Sequence, residues 1–111
     1  HFGDIGYAIR EYIKPFRYSI VMDFCAHGTG QVYHDEPKIL HSAEFGTGPV
    51  MLPGMIFTIE PMINIGKPDM KILDDNWTAV TRDRSLSAQF EHTIGVTETG
   101  YEIFTLVKNE I

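Results

Sequence analysis

His27, His34, Glu60 and Glu91 are the residues of this sequence whose types could do chemistry together. Glu60 is the oddest of them, because it interrupts the otherwise apolar run MIFTIEPMINI, Met55 to Ile65. A carboxylate buried without compensation is costly, so it is expected to be neutralised, paired or bound to a cation. Two strand-borne glutamates and an imidazole make a mixed N/O donor set that suits Mn, Fe, Co or Zn. A carboxylate can bridge two cations, and paired cations can clamp both an attacking water and a carbonyl oxygen. Plainer readings stay open at this level. A strand glutamate is most often exposed or paired with Lys or Arg, His27 beside glycines can be a loop residue, and His34 ahead of Asp35 and Glu36 can be a solvated turn residue.

These side chains need a scaffold. Asp4 to Lys14 set Ile5, Ala8, Ile9, Tyr12 and Ile13 on one face at helical spacing, with Asp4 as the N-cap and Pro15 as the stop. YSIVMDF reads as a strand, CAHGTGQVYHDEPKILH as short extended pieces in irregular backbone, and SAEFGTGPVMLPG as a loop. MIFTIEPMINI is strand-like up to Pro61, and WTAVT is a further short strand after the GKPDM and LDDN punctuation. SAQFEHTIGVTETGYEIFTLV reads as two strands joined by a turn at Glu98-Thr99-Gly100. In the first of these, Phe90, His92, Ile94 and Val96 share one face, and Gln89, Glu91, Thr93 and Gly95 the other. Ile56, Thr58 and Glu60 share a face opposite Phe57 and Ile59, so each glutamate has a threonine beside it on its own face. His92 adjoins Glu91 yet falls on the opposite face. The expected class is α+β, one helix with a mainly antiparallel sheet, in one domain over 1–111.

With 111 residues, 43% hydrophobic, the chain has the make-up of a small globular domain. Its net charge of −6 argues against nucleic-acid binding, since no basic stripe neutralises phosphates. No apolar run reaches membrane-spanning length, and a single Cys25 suits a reducing compartment, so a soluble, cytoplasmic protein is expected. The opening without an initiator Met, directly into helical periodicity, suggests a piece of something longer. HGTGQVY lacks the third glycine of a dinucleotide loop and the Lys-Ser/Thr of a P-loop, and neither FEHT nor YHDEP has the i, i+4 histidine pair of a zinc-protease helix. Cys25 and His27 lack the third orienting group a thiol nucleophile needs.

Taken together, CAHGTGQVYHDEP, MLPGMIFTIEPMIN, DNWTAVTRDRSLSAQFEHTIGVTETG and EIFTL resemble the C-terminal half of a bacterial-type (type I) methionine aminopeptidase, in order and over essentially the whole chain. The resemblance implies half of a pita-bread fold, in which helices cover a curved antiparallel sheet that carries the site. It makes His27 a metal ligand, Glu60 a ligand and the candidate acceptor of a proton from water, and Glu91 a bridge between two divalent cations. His34 would bind substrate near the scissile amide and stabilise the oxygen of the tetrahedral intermediate. Tyr33 and Trp77 would line the pocket for the methionine side chain. The implied reaction is hydrolytic release of the initiator methionine from nascent chains whose next residue is small.

The chain departs from the family pattern at Ala26, where glycine is usual, and at Thr29, where isoleucine is usual. Alanine would be strained at positive φ, and otherwise its methyl would narrow the site. The family also draws two aspartates and a second histidine from an N-terminal half that this chain lacks. The chain alone is therefore expected to be inactive and to pair with the missing half or with a second copy. The alternatives are a non-catalytic pita-bread binding module and a proline-cleaving relative of the prolidase or creatinase kind.

Overall fold

In the computed structural model, which describes residues 1–108, helix α1 spans Gly3–Ile13 and passes into a single 3₁₀ turn at Lys14–Phe16. The last three residues of the domain expected over 1–111 lie outside the described residues. Pro15 sits in that 3₁₀ turn, and Arg17 closes it in the left-handed region at φ 59°. Asp4 is not the N-cap: that position is Phe2, and the Asp4 carboxylate accepts the Gly46 N–H at 2.6 Å.

The buried face of α1 also differs from the apolar stripe. Gly3, Gly6 and Ile13 are buried, whereas Ala8 and Tyr12 are exposed. The reason is backbone proximity. A Cβ on Gly6 would lie 2.5 Å from the Leu40 carbonyl oxygen, and one on Gly3 would lie 2.6 Å from that of Thr47. Small residues therefore choose the contact face, and they carry no hydropathic signal. Arg10 reaches the same loop, donating to both carboxylate oxygens of Glu44 at 2.9 and 3.3 Å.

The strands are β1 (Ser19–Ile20), β2 (Ala26–Gly28), β3 (Asp35–Ile39), β4 (Ile56–Ile59), β5 (Met62–Asn64), β6 (Met70–Ile72), β7 (Ala79–Thr81), β8 (Ser87–Gln89), β9 (His92–Val96) and β10 (Tyr101–Ile103). They form a five-stranded sheet in the order β10-β9-β4-β2-β3, a three-stranded sheet β1-β5-β8 and the hairpin β6-β7. Every described strand pair is antiparallel. Only Ser19–Ile20 of YSIVMDF is a strand, and β6 falls in a stretch that reads as punctuation. The turn after β9 is where its residues predict it, closed by the Thr97 N–H on the Gly100 carbonyl at 3.0 Å.

MIFTIEPMINI, expected to be strand up to Pro61, resumes as β5 beyond it, and SAQFEHTIGV, which reads as one strand, is divided between β8 and β9. Strand β4 pairs with β9 and β5 pairs with β8, and the register is continuous: Ile59 faces His92 and Met62 faces Gln89. Between these pairs lie Glu60-Pro61 on one side and Phe90-Glu91 on the other. Proline has no N–H to give a ladder, so the ribbon opens at this step and resumes beyond it.

On one face of the larger sheet, Ala26, Ile39, Phe57 and Ile94 form the core with Phe2, whose ring meets Phe57 edge-on at 5.0 Å. Burying the larger of these side chains stabilises the fold by about 1.5–3 kcal/mol each. Beside this core an apolar hollow of about 530 Å³ is lined by Ile5, Met51, Ile59, Phe90 and Ile103 among others. Among the described residues no helix is long and apolar enough to cross a membrane.

Candidate metal centre

The opposite face of the larger sheet carries the polar residues. Thr58 and Thr93 are directly paired across β4 and β9, and the same register taken past Ile59 sets Glu60 against Glu91. Strand β2 brings His27 in from the other side of β4 through the Gly28–Phe57 pairing. A hydroxyl tightens this junction: Thr58 Oγ1 accepts the His27 N–H at 3.2 Å. Period-two alternation thus converts sequence spacing into one cluster, and His92 is excluded because it lines the apolar hollow on the far face.

One ligand atom from each of His27, Glu60 and Glu91 lies within 4.8 Å of the others. His27 is buried, Glu60 is half-buried and Glu91 is exposed, which gives the cluster a closed side and an open one. The His27 ring is oriented by its Nδ1, which is 2.8 Å from the Gly28 carbonyl oxygen. That oxygen can only accept, so Nδ1 carries the proton and the Nε2 lone pair faces outward. Nε2 stands 3.7 Å from Glu60 Oε2, too far for a hydrogen bond and with acceptors on both sides.

Burial pushes the Glu60 carboxyl above its ordinary range, and the neighbouring Glu91 carboxylate pushes it further. The Thr58 hydroxyl and His27 act in the opposite direction. Converging acceptors of this kind need a proton or a cation between them. An imidazole nitrogen and carboxylate oxygens are the donors that first-row divalent cations take, so these residues fit such an ion.

His34 and Tyr33 are brought to the same place. The rings of His27 and His34 meet edge-on at 4.4 Å, and Tyr33 lies 4.5 Å from His34 and 5.7 Å from His27. His34 and Tyr33 are both exposed, on the open side of the cluster. Trp77 is not gathered with them. It lies in the turn of the β6-β7 hairpin, 86% exposed, held through its N–H on Asp75 Oδ1.

Ala26 resolves both of its sequence-level alternatives. It is absent from the residues with positive φ, and its methyl is fully buried in the core on the face away from His27. It is therefore neither strained nor in the site. Gly28 is different: a Cβ there would collide with the Glu36 carbonyl oxygen of β3.

Sequence reasoning passed over His41. It lies just beyond β3, only 2% exposed, and its Nε2 accepts the backbone N–H of Glu60 at 3.2 Å. Burial holds its pKa below the usual histidine value and favours the neutral ring that can accept. The sequence signal was slight: a histidine ending the β-patterned run EPKILH, in step with no other candidate.

The sequence profile of metallopeptidase family M24 matches residues 1–98. The chain belongs to metallopeptidase family M24. Among curated M24 relatives, the methionine aminopeptidase of Rickettsia prowazekii is 57% identical over 105 residues, covering 94% of this chain and 40% of the relative. The crystal structure of that enzyme superposes with a TM-score of 0.91 over 95% of this chain and 43% of its own. Methionine aminopeptidase from Thermotoga maritima gives a TM-score of 0.92 at 40% identity, covering 96% of this chain and 43% of its own. A prolidase from Pyrococcus furiosus, 24% identical with a TM-score of 0.66, covers 97% of this chain and 26% of its own, and shares the fold alone. The architecture is thus part of the pita-bread fold of M24 proteins, and this M24 chain spans about two fifths of the length of the curated relative.

Proposed function

We propose that residues 1–111 are the C-terminal half of the catalytic domain of a methionine aminopeptidase, which removes the initiator methionine from nascent proteins. The observation that carries this reading is the convergence of one ligand atom from each of His27, Glu60 and Glu91 within 4.8 Å. The methionine aminopeptidases it resembles, and the M24 match over residues 1–98, support the same conclusion.

His27, Glu60 and Glu91 would hold divalent cations, two in the complete enzyme and drawn from Mn, Fe, Co or Zn, with Glu91 shared between them. Such ions supply a polarised carbonyl and a water acidic enough to lose its proton near neutral pH. The residues of this chain do the rest. Glu60 would accept that proton and could return it to the departing amine. His34, at the exposed rim against the His27 ring, donates a hydrogen bond to the oxygen of the tetrahedral intermediate. Tyr33 beside it lines the approach of the methionine side chain, a role we extend to Trp77 once the rest of the protein is in place.

The partner of this half is the N-terminal half, which would bring further ligands and cover the apolar hollow of about 530 Å³. A second copy of this chain is the other candidate cover. Nucleic acid is not a partner of a surface with net charge −6, and the lone Cys25 fits the cytoplasm.

The test uses the full-length polypeptide carrying these residues, and this chain alone, with Met-Ala-Ser and Xaa-Pro peptides, Mn added and an EDTA control. The expected result is metal-dependent methionine release by the full-length protein and none by this chain. Cleavage of Xaa-Pro peptides in preference would move the assignment to a prolidase. A full-length protein that takes up no cation and cuts neither peptide would make it a binding module.

A further inference from the structure

The pairing of β4 with β9 ends at Ile59, and Pro61 follows with no N–H, so Glu60 occupies the one step where the ribbon passes between sheets. A residue at such a step loses the neighbours that normally fix a strand backbone. Its N–H is taken by a side chain, His41 Nε2 at 3.2 Å. His41 itself is securely placed. It is 2% exposed, it lies two residues beyond the end of β3, and the loop after it is clamped to α1 by the Arg10–Glu44 pair and by Asp4 on Gly46.

We propose that His41 is a positioning residue: by accepting the Glu60 N–H at the sheet switch, its Nε2 fixes the backbone from which the Glu60 carboxylate reaches His27 and Glu91. The inference rests on the metal-centre reading above. It makes His41 no ligand; it acts through Glu60. The hydrogen bond requires the tautomer with the proton on Nδ1 and a bare Nε2. Outer groups that orient a metal ligand are commonly worth 10- to 100-fold in metal affinity.

The test compares the full-length protein with its His41→Leu and His41→Gln variants, using Co²⁺ alone as the probe. Affinity is read by calorimetry and ligand geometry by the visible absorption of the bound ion. Leucine fills the space without an acceptor, whereas the Gln Oε1 can accept where Nε2 did. We expect His41→Leu to lose about tenfold or more in Co²⁺ affinity with an altered spectrum, and His41→Gln to recover most of both. A His41→Leu protein matching the parent in affinity and spectrum overturns the inference and leaves the metal centre standing. A parent that binds no Co²⁺ overturns the metal centre instead. Nitrogen-15 NMR of the unsubstituted protein decides the tautomer even where a variant fails to fold: a proton on His41 Nε2 overturns the inference.

Discussion

Glu60 and Glu91 face each other across the single opening in a ribbon whose register otherwise runs unbroken from Ile59–His92 to Met62–Gln89. The carboxylates meet where the backbone ladder is interrupted, with His27 delivered beside them by β2. Two like charges at such a place destabilise the metal-free fold, and a cation reverses the sign of that interaction.

Glu91→Gln should therefore act in opposite directions on stability and on metal binding. Because the folded Glu60 carboxyl is raised above its unfolded value, its contribution to the stability of the metal-free protein is fully present below the ordinary glutamate range and is lost as pH rises through the raised value. Glutamine at position 91 removes part of that loss. Urea unfolding in EDTA should show the variant more stable at pH 7 by on the order of 1 kcal/mol, with the difference closing towards about pH 4. Co²⁺ uptake should be abolished in the same variant.

His34 touches the ring of His27 without joining the ligand cluster. His34→Ala should accordingly leave Mn²⁺ affinity within about twofold of the parent, while kcat for Met-Ala-Ser falls by roughly a hundredfold. Calorimetry and steady-state kinetics on the full-length protein separate the two effects.

Ala26 packs its methyl into the core, so Ala26→Gly should cost stability and not metal affinity. The lost methyl and the added backbone freedom together amount to about 1–2 kcal/mol. Denaturant unfolding measures the first quantity and Co²⁺ titration the second.

Gly28→Ala is the contrasting case, because the new Cβ collides with the β3 backbone at Glu36. Relief requires β2 and β3 to separate, which also moves the carbonyl that orients His27. A loss of about 2–3 kcal/mol is expected, together with weakened Co²⁺ binding.

The faces taken by Glu60 and Glu91 were legible in the sequence because strand alternation is a strong constraint: Thr58 with Glu60 and Glu91 with Thr93 each had to share one. The specific strings around them carried the family resemblance. The break at Pro61 was legible, but the matching break at Phe90-Glu91 was not, since a proline marks a break without saying that pairing resumes in the same register beyond it. The contact face of α1 was misjudged because Gly3 and Gly6 choose it by close approach. His41 was missed for a related reason: its bond is to a backbone N–H, which no side-chain pattern records. Trp77 stays on an exposed turn among the described residues.

The most direct test of the central claim is an anomalous-scattering map of the full-length protein crystallised with Co²⁺. The account predicts a peak within bonding distance of His27 Nε2 and of carboxylate oxygens from both Glu60 and Glu91. A map with no peak there, or with cobalt bound elsewhere and these side chains turned away, would contradict it.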